Sequence, residues 1–274
     1  MILLLAVAAI AGACRPLASS SEAPPVTLGT DHDGGAPPMS TAPLTQRAVC
    51  FSGASAGEPY RSGGNAELGA LCEQLPGLVR PREYPFFTWR EDTDKPLRAL
   101  LKILDTDHDG KVTRADAPVA LTIVGFSWGA FNARDLALAI LEEPRFAAER
   151  KVVARLFLLD PFRTRALVIP ESAIHVPGNV DRAWVWRHSI APPTDCSTSA
   201  PLGPYLGRPP VCTGRTRCRD FDFSLAVDAR FGGYRGAEIG HCAVPEAATA
   251  ALLELAAGSE PTSPLPPEHP VAKE

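Results

Sequence analysis

Two short stretches of this 274-residue chain gather residue types that can do chemistry. In Gly125-Phe126-Ser127-Trp128-Gly129 a hydroxyl sits between two glycines. A serine hydroxyl is a weak nucleophile and needs an adjacent base, itself oriented by a third group. His241 and Asp160 can fill those roles. His241 would take the proton of Ser127 as it attacks an acyl carbon, and Asp160 would fix the imidazole tautomer and stabilise the imidazolium. The second stretch runs from Asp105 to Asp116. It places carboxylates at positions one, three and five (Asp105, Asp107, Asp109), Gly110 at six and Lys111 at seven, with Thr113 at nine and Asp116 at twelve. That spacing wraps oxygens around a hard cation, with the Lys111 carbonyl as one donor and Gly110 permitting the sharp bend.

The elements that must position these groups follow from hydrophobic pattern. Residues 119–124 form a short apolar, β-branched run that reads as a buried strand, and residues 130–141 carry apolar side chains at helical spacing. A strand, G-x-S-x-G and a helix together make a sharp turn that pushes the serine out at the carboxyl end of the sheet. Further strands are expected at 47–51, 84–89, 151–159 and 183–186. Helices are expected at 65–75, 95–104 and 245–257, the last with Pro245 in its first turn, where proline is tolerated. The alternation predicts an α/β fold, a mostly parallel central sheet with helices on both faces. Catalytic groups in such sheets lie at the carboxyl ends of the strands.

Asp160 ends the apolar strand that follows the serine helix, with Asp181 and Asp195 as rival acids. His241 lies in a loop directly before the last helix. His32 and His269 fall in the terminal segments, His108 in the cation loop, and His175 and His188 precede the segment that the chain still has to cross. Over most of residues 47–257 the chain resembles an α/β-hydrolase, with the acid placed as in the lipase-like branch. The resemblance implies ester hydrolysis, with amide or thioester cleavage on the same triad as another option. It also implies an oxyanion hole built from the backbone N–H of Trp128 and one after the first strand, nearest Ala54. The family's His-Gly or Gly-Gly-Gly turn is absent, and Ser52-Gly53-Ala54 stands there instead. Trp128, Trp184, Trp186 and Phe231 are candidates for an acyl pocket or for plain core.

The loop at 105–116 resembles an EF-hand loop with its entering helix, at 96–104, but without an exiting one, because Ala117-Pro118 leads straight into the strand before Ser127. It is expected to hold a structural calcium ion that pins the chain entering that strand. A second copy of the pentapeptide, Thr30-Asp31-His32-Asp33-Gly34, lacks ligands at positions one and twelve (Gly29 and Ser40) and is not expected to bind.

A net charge of −4 gives no basic footprint for nucleic acid. Arg208, Arg215, Arg217 and Arg219, interleaved with Asp220 and Asp222, read as a solvated loop. Residues 2–10 are apolar but far shorter than the ~20 residues of a membrane span. They end in Ala11-Gly12-Ala13-Cys14, which resembles a bacterial lipobox and makes Cys14 the expected lipidation site; cleavage of an ordinary signal peptide after Ala13 is the alternative. The expected layout is a signal peptide at 1–13, a disordered tether at 14–46, the domain at 47–257 and a disordered tail at 258–274. Apart from Cys14, six cysteines remain (Cys50, Cys72, Cys196, Cys212, Cys218, Cys242), an even number that suits disulfides in an exported chain. The group Cys196, Cys212 and Cys218 suggests a stapled loop rather than a zinc site, since paired C-x-x-C spacing is missing.

The expected protein is an exported, membrane-anchored hydrolase acting on a small-molecule or lipid ester. The competing expectation is a non-catalytic calcium-binding surface lipoprotein on the same scaffold.

Overall fold

Strands buried on both faces need apolar residues at successive positions, and four segments supply them. They are β1 (Thr45–Phe51), β3 (Val119–Phe126), β4 (Val153–Leu159) and β5 (Val180–Arg187); β2 (Leu78–Val79) is a two-residue edge strand. A computed structural model describes residues 44–54, 63–81, 83–165, 169–170, 172–193, 195–196 and 205–273. The signal segment, Cys14 and nearly all of the expected tether lie outside them, although β1 begins at Thr45, inside the tether's expected bounds. With β6 (Arg217–Asp222) and β7 (Glu268–His269), these strands form a seven-stranded sheet among the described residues, in the order β7-β6-β5-β4-β3-β1-β2. Every neighbouring pair is parallel except β6 with β7. The fold is α/β, as the alternation of elements predicts.

Alternation along each strand divides the interior in two. Val49, Phe51, Ile123, Leu156 and Leu158 point to one face, where they meet α2 (Asp94–Leu104) and α3 (Trp128–Glu142). Helix α2 packs there through Leu97, Leu100, Leu101 and Leu104, a stripe at helical spacing. Cys50, Val124, Phe126, Phe157 and Trp186 point to the other face, against α1 (Asn65–Glu73) and α4 (Val244–Ala256). Helices therefore cover both faces, and no helix among the described residues is long and apolar enough to cross a membrane.

Three expectations need correction. Residues 84–89 are not a strand. The edge of β1 is filled in two pieces, by Leu78–Val79 and then by a single bridge from Phe87 to Phe51, with Pro81 and Pro85 interrupting the run between. The arginine-rich stretch expected as a solvated loop supplies β6, paired in parallel with β5. Its aspartates are buried and bonded to Arg187 at the end of β5. The tail is not shapeless either. Glu254 binds Thr262 and Ser263, and Leu265 packs on the α4-side core. Glu268 and His269 then pair with Phe221 and Asp220, covering a sheet edge that would otherwise present unpaired backbone groups. Ala272–Lys273 pairs with Pro210–Cys212 in a separate three-stranded sheet.

The six cysteines pair as Cys50–Cys72, Cys196–Cys242 and Cys212–Cys218. Cys212–Cys218 is a local staple that ties Pro210–Cys212 to the start of β6, while Cys196 leaves the expected cluster and ties its loop to Cys242, just before α4. Three disulfides suit an oxidising compartment.

Candidate active site

The turn between β3 and α3 is tight because glycine leaves room for it. A Cβ on Gly125 would lie 2.3 Å from the carbonyl oxygen of Gly129, and one on Gly129 would lie 2.4 Å from that of Ser52. Ser127 sits between them at φ 55° and ψ −121°, a left-handed conformation that for a non-glycine residue persists only where its surroundings enforce it. Its N–H donates to the Leu159 carbonyl (2.9 Å), and its own carbonyl accepts from Ala130 (3.1 Å), so the strained residue is fixed on both sides.

Ser127, Asp160 and His241 converge. His241 Nε2 lies 2.9 Å from Ser127 Oγ, and His241 Nδ1 lies 2.5 Å from Asp160 Oδ2. All three are buried, Asp160 completely. Asp160 follows β4 at φ 44°, and its N–H donates to the Trp186 carbonyl on β5. The serine and the acid therefore stand at the carboxyl ends of adjacent parallel strands. His241 is packed by Phe126 (ring centroids 4.9 Å apart) and, edge to face, by Tyr205 (5.3 Å). Phe162 stacks on Tyr205 beside it.

A fourth group, set aside in the sequence by chain order, joins them. His188 follows β5 directly, is fully buried, and places Nδ1 2.9 Å from Asp160 Oδ1, which also accepts its backbone N–H at 2.9 Å. Its Nε2 faces Asp195 Oδ2 at 3.7 Å. Burial by itself would raise the Asp160 carboxyl, but the charges and hydrogen bonds of His188 and His241 outweigh it and hold the group at about 2. Burial likewise opposes charge on His188, yet Asp160 and Asp195 push it up to about 10. The signal available in the sequence was position: a titratable residue at the carboxyl end of a strand flanking the acid's own.

Of the rival acids, Asp195 is buried against His188, and Asp181 is exposed and paired with Arg217. At the turn after β1, Asn65 takes the Gly53 N–H (2.8 Å) and returns a bond to its carbonyl. A Cβ on Gly53 would lie 2.9 Å from Ser127 Cβ, so the turn carrying Ala54 presses against the serine. Trp128 opens α3, where first-turn N–H groups have no partner within the helix. Of the candidate pocket aromatics, Trp184, Trp186 and Phe231 belong to the α4-side core, while Trp128 lies against Trp89 (5.3 Å).

In the loop at 105–116, Asp105, Asp107 and Asp109 can each offer an oxygen within 4.8 Å of the others. Asp116 is placed differently from the expectation. It is buried, and its carboxylate accepts from the N–H groups of Thr106 (2.6 Å) and Thr113 (2.7 Å) and from the Thr106 hydroxyl. Burial works against its charge, but these donors hold it below the ordinary carboxylate range. An aspartate, one methylene shorter than glutamate, closes the loop on its own backbone instead of reaching its centre. Val112 N–H donates to the Arg145 carbonyl, and Arg150 binds the carbonyls of Thr113 and Asp116, which ties the loop to the chain entering β4. No protein-family model matches this chain, and no curated protein matches it.

Proposed function

We propose that this chain is an exported serine hydrolase that cleaves carboxylic esters. The observation that carries the reading is the contact series from Ser127 Oγ through His241 to Asp160 at a strained strand-to-helix turn. His241 Nε2 would accept the Ser127 proton as Oγ bonds to the ester carbon, and the developing oxyanion would face the N–H groups of Trp128 and Ala54. The imidazolium would return that proton to the leaving alkoxide, which departs as the alcohol. Water, deprotonated by His241, would then release the acid and free Ser127.

The test is a short- to long-chain chromogenic ester series run beside labelling with a fluorophosphonate, which reacts only with an activated serine. The wild type should turn over at least one ester and take the label on Ser127. Ser127→Ala should lose about 10⁴-fold or more in kcat and all labelling. A wild type that neither hydrolyses nor labels, with disulfides formed, would favour the non-catalytic lipoprotein reading.

We further propose that Asp105, Asp107 and Asp109, with the Lys111 carbonyl, hold a calcium ion. The three convergent carboxylates fit a hard cation, which would relieve their mutual repulsion and stiffen the entry to β3. Calcium at a hundredfold over its Kd would contribute about 2.7 kcal/mol, so excess chelator should lower Tm by about 5–10 °C. An unchanged Tm would remove the ion. Because Asp116 closes the loop through backbone donors, Asp116→Ala should lower Tm even in chelator.

A further inference from the structure

We propose that His188 is a positioning residue for the Ser127 site, a buried imidazolium that clamps one oxygen of Asp160 and sets the field in which His241 works. The proposal rests on the hydrolase reading for its consequence in catalysis, but not for the charge it assigns to His188.

The geometry leaves His188 little freedom. Asp160 divides its two oxygens, Oδ2 to His241 and Oδ1 to the ring and backbone N–H of His188. A ring nitrogen facing a carboxylate must carry a proton to bond it. Nδ1 bonds Asp160 and so carries a proton, while Nε2 lies 3.7 Å from Asp195 Oδ2, too long for a hydrogen bond but within ion-pair range. The cluster is also closed sterically. A Cβ on Gly207 would fall 2.3 Å from Asp160 Oδ1, and one on Gly240 would fall 2.6 Å from Asp195 Oδ1. The Cys196–Cys242 bond joins the residue after Asp195 to the residue after His241.

Charge counting gives the role. A charged His188 stands between two buried carboxylates, and a neutral one would give up its attraction to both. Asp160, Asp195 and a charged His188 sum to −1, and a proton taken by His241 from Ser127 would balance that sum. Arg187, the adjacent cation, is bound to Asp220 and Asp222 on β6. Arg208 lies over the Phe162 ring and feels Asp160, and Tyr205 meets the edge of His241. These groups stay constant when His188 or Asp195 is changed. The rings of His188 and His241 are 6.4 Å apart. At that separation, loss of one charge at an effective dielectric of about 20 moves a proton equilibrium by about one to two pH units.

The experiment follows imidazole ¹⁵N resonances against pH in the full chain, with kcat/KM profiles alongside. His188 should show two protonated nitrogens from pH 5 to 8. In His188→Asn the amide can keep the bond to Asp160 without the charge. There the acid limb of kcat/KM should rise by about one to two units. Asp195→Asn should move it the other way. The double variant restores the cluster's resting charge of −1 and should return the midpoint close to wild type, which mere loosening of the site would not do. A neutral His188 at pH 7, or midpoints that stay still while activity falls, would overturn the proposal. If wild type neither hydrolyses nor labels, the resonances still decide the charge on His188, and the hydrolase reading alone fails.

Discussion

Asp160→Asn is expected to lower kcat for ester hydrolysis by about 10⁴-fold. The physical reason is the tautomer. An amide at residue 160 can turn its NH₂ toward His241 Nδ1, which leaves the proton on Nε2, the atom 2.9 Å from Ser127 Oγ. A nitrogen already protonated there cannot accept the serine proton. Asp181→Asn, at an exposed carboxylate paired with Arg217, should leave kcat unchanged. Steady-state kinetics on any ester that the wild type turns over would decide it; a loss below tenfold would take Asp160 out of the role.

The second large effect concerns stability. Arg187 is buried, binds Asp220 through Nε and Nη2 (2.9 and 3.0 Å), and binds Asp222 through Nη1 (2.9 Å). Burial already pushes the Asp220 carboxyl upward despite that partner. Arg187→Met would leave two buried carboxylates without a cation and should cost about 3–5 kcal/mol, or roughly 6–20 °C in Tm. Adding Asp220→Leu and Asp222→Asn should recover most of the loss, because a buried ion set replaced as a whole is often neutral to stability. Asn at 222 keeps an acceptor for the Ser189 and Ser224 N–H groups. Urea unfolding of the three proteins would check this, and a single variant within 1 kcal/mol of wild type would show the network to be dispensable.

The sheet's centre was legible because strands buried on both faces are written as apolar runs, as in β3, where Thr122 is the one polar residue, and residues 156–159 of β4. The sharp turn at Ser127 was legible because glycine at both ends of a pentapeptide between strand and helix has a steric cause. Strand β6 was not. Arg217-Cys218-Arg219-Asp220-Phe221-Asp222 reads as polar, since the charges that neutralise it lie at Asp181, Arg187 and Glu268, on other elements. The tail was missed for the same reason: its pairing partners on β6 are about 50 residues away. His188 was set aside by an argument from chain order, whereas proximity across parallel strands β4 and β5 places it beside Asp160. The disulfide pairing could not be read at all, because six cysteines allow fifteen pairings.

The link between Cys196 and Cys242 bears on when the three groups meet, not only on where. Ser127 takes its place through a local strand, turn and helix, while His241 stands 114 residues further along the chain, next to a half of that bond. Closing a loop over a separation of 46 residues restricts the unfolded chain by about 4 kcal/mol in the chain-entropy picture. A chain with that bond reduced would keep the turn at Ser127 while His241 is less firmly held. On the proposed hydrolase reading, forming that bond in an oxidising compartment would then be the step that completes the site.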